Sequence, residues 1–140
     1  MRYLDTSLLV AALTWEDETE RMQEWLAAAH PDELAISDWV ATEFSAALSV
    51  KLRSNRISVD DRADALAAFK RYAASSFQTL SVSTRHFLAA ARFADQHALG
   101  LCAGDALHVA IAAEYGADLY TLDARLAEAG PAFGVRTHLL

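Results

Sequence analysis

The stretch MRYLDTS, residues 1–7, decides how the chain begins. A short apolar run ends in the carboxylate of Asp5, two hydroxyl residues follow, and the run LLVAAL of residues 8–13 continues without proline or glycine. This pattern predicts a buried strand, a turn and a helix, with Asp5 at the carboxyl end of the strand, where open α/β sheets bind their ligands. Asp, Thr and Ser also cap helix N-termini, and Asp5 taken alone is more often a cap than a site residue.

Length and composition are those of one ordinary domain, which we predict to span residues 1–140. The chain is 54% hydrophobic, but no apolar run approaches the ~18 residues that a membrane span needs, and the N-terminus does not resemble a signal peptide. The single cysteine, Cys102, is typical of a reducing cytoplasm and is expected to be a small buried hydrophobe. We therefore expect a cytoplasmic protein that does not enter a membrane.

The formal net charge of −7 argues against a broad electrostatic attraction to nucleic acid. A nucleic-acid substrate remains compatible with this charge if a cation helps to bind it. The candidates for gripping a phosphate backbone are Lys51, Arg53, Arg56 and Arg85. Each of them is more often simply a solvated surface charge. The acidic balance also favours a basic protein partner.

Predicted strands alternate with predicted helices along the whole chain. Besides the first strand, β-prone runs lie at residues 33–37, 77–82, 118–122 and 134–138, and Ala-rich helical patterns separate them. No linker, internal repeat or low-complexity tract interrupts the pattern. The alternation predicts an α/β fold with a mostly parallel sheet of roughly four to five strands, covered by helices on both faces.

A carboxylate interrupts the apolar face of the helix that is predicted from Asp38 to about Arg53. On a helical wheel, one face collects Trp39, Val40, Ala46, Ala47 and Val50. Glu43 lies in the middle of that face, where an unpaired carboxylate is costly. Glu43 therefore has a cationic partner, opens into a wet cleft, or belongs to a face that is less buried than the pattern indicates.

Two further acids, Asp105 and Asp123, lie where a predicted element begins or ends. Asp105 begins the most apolar helix, predicted over residues 103–116, and His108 lies on the same side one turn later. A histidine in this setting is more often a hydrogen-bonded core residue than a ligand, and no second His or Cys stands at zinc-ligand spacing. Asp123 follows the strand of residues 118–122 as Asp5 follows the first strand.

Asp5, Glu43, Asp105 and Asp123 are expected to gather at one edge of the sheet, because the carboxyl ends of parallel strands converge there. Clustered carboxylates repel one another and take up protons unless a cation neutralises them. Oxygen ligands without His or Cys suit Mg²⁺ or Mn²⁺. Such a site can activate a water and neutralise the charge of a scissile phosphate.

Four segments, YLDTS at 3–7, SDWVATE at 37–43, AGDALH at 103–108 and TLDARL at 121–126, resemble the signature segments of PIN-domain proteins. The most similar members are the VapC-type toxin ribonucleases of bacterial toxin–antitoxin modules. The resemblance implies a PIN-like α/β/α sandwich and Mg²⁺- or Mn²⁺-dependent cleavage of RNA, with 5′-phosphate and 3′-hydroxyl products. It also implies a small VapB-like antitoxin that inhibits the toxin, and a homodimer, which is common in the family.

The resemblance also implies roles for individual residues. The positions that match the family's acidic quartet are Asp5, Glu43, Asp105 and Asp123. We expect the first and third of these to hold the ion directly, and the other two to hold it or its waters. Thr6 and Ser7 match hydroxyl positions beside the first acid, where a supporting role is expected.

Two other functions stay open. A non-catalytic PIN-like binding or regulatory module would keep the fold without the chemistry, although a pure binder has no need of mutually repelling carboxylates. A metal-dependent phosphatase on another doubly wound fold is less favoured. Those phosphatases that use an Asp nucleophile usually carry a second Asp two residues on, where this chain has Ser7.

Overall fold

The computed structural model describes residues 1–140, and its centre is a five-stranded sheet. The strands are β1 Arg2–Leu4, β2 Leu34–Ser37, β3 Gln78–Leu80, β4 Asp118–Thr121 and β5 Thr137–Leu139. Their order across the sheet is β3-β2-β1-β4-β5, and every neighbouring pair is parallel. The predicted α/β fold with a parallel sheet is therefore confirmed.

The helices that connect these strands cover the sheet. They are α1 Thr6–Leu13, α2 Thr19–Ala28, α3 Asp38–Arg53, α4 Val59–Ser75, α5 Thr84–Ala94, α6 Ala103–Tyr115 and α7 Ala124–Ala129. Helix α1 contacts α2, α3 and α4, and α5 packs closely on α6. Every residue of β2 is buried, which requires cover on both faces of the sheet. None of the helices is long and apolar enough to cross a membrane.

The last strand begins later than predicted. The chain forms a 3₁₀ turn over Gly130–Phe133 and then passes through Gly134, whose φ of 75° is in the left-handed region that glycine adopts at little cost. Pairing with β4 starts only at Thr137. The β-prone pattern of residues 134–138 therefore located the strand but not its boundary, because the turn takes up the first residues.

Helix α3 is rotated relative to the predicted orientation. Its buried residues are Val40, Phe44, Leu48 and Lys51. The expected face was wrong, and Val50, which belonged to it, is 45% exposed. Phe44 decides the packing, because its ring stacks on Phe69 of α4 with 4.7 Å between centroids. The rotation, about 100° around the helix axis, moves Glu43 from the middle of the buried face to its margin.

The sheet places Asp5 at its topological switch point. The chain runs from β1 outward to β2 and β3 on one side, and it later returns to β4 and β5 on the other. Ligands of open α/β sheets bind in the crevice that this reversal creates at the carboxyl ends of the strands. Leu4 pairs with Tyr120, and the N–H of Asp5 donates to the Tyr120 carbonyl at 3.1 Å.

Candidate active site

Asp5 is a buried carboxylate with a hydrogen bond on each oxygen. It is 4% exposed. Its Oδ1 accepts from Ser7 Oγ at 2.6 Å and from the N–H of Leu8 at 3.4 Å, and its Oδ2 accepts from Thr121 Oγ1 at 2.7 Å. Asp5 therefore caps α1, as an isolated reading of the motif suggests, and is also bound to the end of β4. Burial raises the pKa of this carboxyl, although the charge of His108 and the hydrogen bonds oppose the shift.

The end of β4 is tied to Asp5 and leads directly to Asp123. Ser7 Oγ accepts from the N–H of Leu122 at 2.9 Å, and Thr121 Oγ1 accepts from the N–H of Asp123 at 2.9 Å. The side chain of Asp123 is turned to its own helix, where Oδ1 accepts from two backbone N–H groups of α7 at 2.8 and 3.1 Å. Its Oδ2 has no hydrogen-bond partner within the chain.

Glu43 has the partner that its position on α3 requires. Its Oε2 accepts from Thr6 Oγ1 at 2.6 Å and lies 2.6 Å from Nε2 of His108. Burial acts to raise the pKa of Glu43, but the hydrogen bond and charge of His108, together with hydrogen bonds from other side chains such as Thr6, hold the pKa below its usual range. The consecutive residues Thr6 and Ser7 thus hold two acids, Glu43 and Asp5, that are far apart in the sequence.

His108 is a hydrogen-bonded core histidine, as its setting predicted. It is 2% exposed, and its Nδ1 lies 2.9 Å from the hydroxyl of Tyr3, which is itself 2.7 Å from Oγ of Ser37. The sequence did not indicate that Glu43 is its other partner, because a spacing of three residues reports only which face His108 shares with Asp105.

The N-terminus of α6 approaches Glu43 so closely that any side chain larger than glycine would displace the carboxylate. A Cβ on Gly104 would lie 2.5 Å from Glu43 Oε1. The next residue, Asp105, accepts from the N–H of Cys102 at 3.3 Å through Oδ2, and its Oδ1 has no partner within the chain. The expectation that Cys102 is buried was wrong. It is exposed at the start of α6, where its Sγ caps the helix by accepting from the N–H of Asp105 at 3.5 Å.

The acids fit an oxygen-preferring ion in kind but do not form a ready-made cage. Their ligand atoms are carboxylate oxygens, which suit Mg²⁺ or Mn²⁺. Asp105 and Asp123 each keep one oxygen without a partner, and Asp5 is a buried acid without a basic residue bonded to it. No three carboxylate, imidazole or thiol side chains lie close enough to hold one ion together.

The candidate cations do not bond to these acids. Lys51 is 8% exposed and forms an ion pair with Glu16, which gives it a structural role. The exposed Arg56 donates from Nε to Ser54 Oγ at 3.0 Å, and Arg85 lies 3.0 Å from Glu114. The candidate set of Lys51, Arg53, Arg56 and Arg85 therefore divides into one buried residue and three exposed ones. Arg53 lies ten residues after Glu43 on α3, about 15 Å along the helix axis.

The chain belongs to the PIN domain family, whose model matches residues 2–130. PIN domains are typically nucleases and generally use divalent metal ions. The predicted family and the PIN fold are confirmed. Among curated protein sequences, none is similar enough to match this chain.

Several solved structures share the fold. The sarcin-ricin loop cleaving toxin VapC20 of Mycobacterium tuberculosis is 17% identical, with 93% of this chain and 95% of that chain covered and a TM-score of 0.77. PAE2754 of Pyrobaculum aerophilum is 26% identical, with 97% and 89% covered and a TM-score of 0.71. VapBC2 of Rickettsia felis, bound to a DNA fragment from its promoter, is 19% identical, with 100% and 99% covered and a TM-score of 0.67.

Proposed function

We propose that this chain is a metal-dependent endoribonuclease, a VapC-type toxin that a cognate VapB-like antitoxin neutralises. The observation that carries the proposal is the pairing of Thr6 with Glu43 and of Ser7 with Asp5 at the switch point of the sheet. These contacts join acids from separate elements in one hydrogen-bonded site within a PIN domain. Structural similarity to a sarcin-ricin loop cleaving toxin and to a toxin–antitoxin complex supports the same conclusion.

In this proposal Asp5 and Asp105 hold Mg²⁺ or Mn²⁺ directly, and Glu43 and Asp123 hold the ion or its waters. When bound, the ion supplies positive charge to the scissile phosphate and makes a water more acidic. The chain supplies the geometry. The hydroxyls that bond both oxygens of Asp5 fix the direction of that carboxylate. His108 and Thr6 favour the ionised form of Glu43, whose Oε1 stays free to accept a hydrogen bond from a water.

The net negative charge of the chain affects how it could bind RNA and an antitoxin. With a net charge of −7, RNA binding relies on the ion and on the exposed cations Arg53, Arg56 and Arg85, rather than on a basic surface. The same charge favours a basic antitoxin segment that places an Arg against the site carboxylates, since Arg pairs well with carboxylate. We further propose a single PIN domain that acts as a homodimer in the cytoplasm.

The test is RNA cleavage by the purified chain, freed of any partner, with Mg²⁺, with Mn²⁺ and with EDTA. Asp5→Asn keeps the size of the side chain but removes its charge, and it is expected to reduce cleavage by at least ~10²-fold because it removes a proposed direct ligand. Asp17→Asn is the matched control, since Asp17 is exposed and has no partner. Equal cleavage by wild type and Asp5→Asn would show that the activity lies elsewhere.

One observation favours a second candidate, a non-catalytic PIN-like binding module. No three side chains that could ligate a metal ion lie together, and a binding module does not need such a group. Calorimetry separates the two functions. The nuclease is expected to take up Mn²⁺ in a manner that depends on Asp5 and Asp105, whereas the binding module takes up none.

A further inference from the structure

A buried row of hydrogen bonds connects three of the elements that carry the acids. Ser37 Oγ, Tyr3 Oη, His108 and Glu43 follow one another at 2.7, 2.9 and 2.6 Å. Tyr3 and His108 are both almost completely buried. The partners are separated by 34, 105 and 65 residues in the sequence, so that these bonds are tertiary contacts and not local caps.

The direction of the last bond follows from the chemistry of the two groups. An ionised carboxylate only accepts hydrogen bonds. Nε2 of His108 must therefore carry a proton and donate a hydrogen bond to Oε2 of Glu43, whether or not Nδ1 is also protonated. Because Oε2 of Glu43 also accepts from Thr6 Oγ1, its hydrogen-bonding capacity is used within the chain. Oε1 is the oxygen left free, and it faces Gly104 at the start of α6.

The row also fixes the acids through the backbone. Tyr3 stands two residues before Asp5 on β1, and His108 stands three residues after Asp105 on α6. Glu43, the last residue of the row, is on α3. A shift of any one of these elements would stretch a bond of the row that is shorter than 3 Å and fully or partly shielded from water.

We propose that Tyr3 and His108 are positioning residues of the acid site, which aim Glu43 and hold β1, α3 and α6 in the register that the site requires. The consequence for metal binding rests on the proposed function. Residues that hydrogen-bond a metal ligand typically contribute about 10- to 100-fold to metal affinity or activity. We therefore expect losses of about this size when a hydrogen bond of the row is removed.

The first test measures the protonation of His108 directly, by NMR of the metal-free wild type labelled with ¹⁵N in its histidines. We expect NMR to show a protonated Nε2 on His108 whose proton exchanges slowly, and we expect Glu43→Gln to change the signal of that proton. An Nε2 without a proton, in the Nδ1–H tautomer, would overturn the proposal. The measurement needs neither metal nor RNA, and its wild-type part does not depend on whether a variant folds.

The second test compares variants that fold, by Mn²⁺ calorimetry and by cleavage kinetics. His108→Gln places an amide donor near the position of Nε2, whereas His108→Asn is too short to reach Glu43. We expect Mn²⁺ affinity to fall about 10- to 100-fold in His108→Asn and in Tyr3→Phe, with most of it retained in His108→Gln. In cleavage assays the loss should appear in kcat more than in KM.

Tyr115→Phe is the control, because Tyr115 is on α6 but its hydroxyl donates to the Ser81 carbonyl at 3.0 Å, outside the row. Folded Tyr3→Phe and His108→Asn proteins with wild-type Mn²⁺ affinity would overturn the positioning role, even if the wild type cleaves RNA. The wild type could also bind Mn²⁺, and the variants could show the expected order of Mn²⁺ affinities, while no RNA is cleaved. That result would support the positioning role and refute the ribonuclease proposal.

Discussion

Gly104→Ala separates the geometry of the site from the stability of the fold. The added Cβ would lie 2.5 Å from Glu43 Oε1, whereas ordinary contact begins at 3.4 Å. The carboxylate must therefore move by about 0.9 Å, and a misplacement of about 1 Å can cost an enzyme ~10²-fold in rate. We expect kcat/KM for RNA cleavage to fall by about that factor.

The effect on stability has two opposing parts. Alanine is favoured over glycine inside a helix by about 0.5–1 kcal/mol. The displaced Glu43 weakens its 2.6 Å bonds to Thr6 and His108, and a hydrogen bond to a charged group contributes about 1.5–3 kcal/mol. We expect a net loss of about 1 kcal/mol in the free energy of unfolding, because one of the two bonds can adjust as the side chain turns.

A double-mutant cycle with Glu43→Ala isolates the contact. In that background the Cβ of the new alanine meets no carboxylate, and Gly104→Ala is expected to stabilise the protein by about 0.5–1 kcal/mol. Urea unfolding of the four proteins gives the coupling energy, and cleavage assays of wild type and Gly104→Ala give the rate. The reasoning is refuted if Gly104→Ala has the same effect on stability in both backgrounds and leaves cleavage unchanged.

Four further predictions concern charge. Asp5→Asn should raise the urea midpoint of the metal-free protein at pH 7, because burial raises the pKa of Asp5 and protonation therefore stabilises the fold. That stabilisation is complete below the unfolded-state pKa and is lost as the pH rises through the folded-state pKa, so the difference should vanish in acid. Glu16→Gln leaves the buried ammonium of Lys51 without its counter-charge, and it should lower the free energy of unfolding by about 1–2 kcal/mol, allowing for the partial exposure of Glu16, without affecting cleavage. Arg53→Ala and Arg85→Ala should each raise KM for RNA at unchanged kcat and reduce the salt slope of binding by about one; unchanged binding would assign them to the solvated surface. An antitoxin peptide should compete with both RNA and Mn²⁺, which non-competitive inhibition would contradict.

The sequence predicted the parallel sheet and the acids at the carboxyl ends of its strands, because these features depend on local patterns. Alternating strands and helices, and acids at the strand ends, are visible as short runs, and they place Asp5 and Asp123 correctly after β1 and β4. The orientation of α3 could not be predicted in the same way, because apolar residues lie on two sides of that helix. The stack of Phe44 on Phe69, a contact between helices, selects one side. The partnership of Glu43 with His108 depends on that selection.

Capping and function are not alternatives for these acids. Asp5 and Asp123 accept backbone N–H groups at the starts of α1 and α7, and Asp105 takes part in a capping box at the start of α6. Negative charge is favoured at a helix N-terminus, because free N–H groups and the helix dipole stabilise it. A sheet edge where strands lead into helices therefore tolerates several carboxylates. Glu43, which lies inside a helix, lacks this support and has His108 instead.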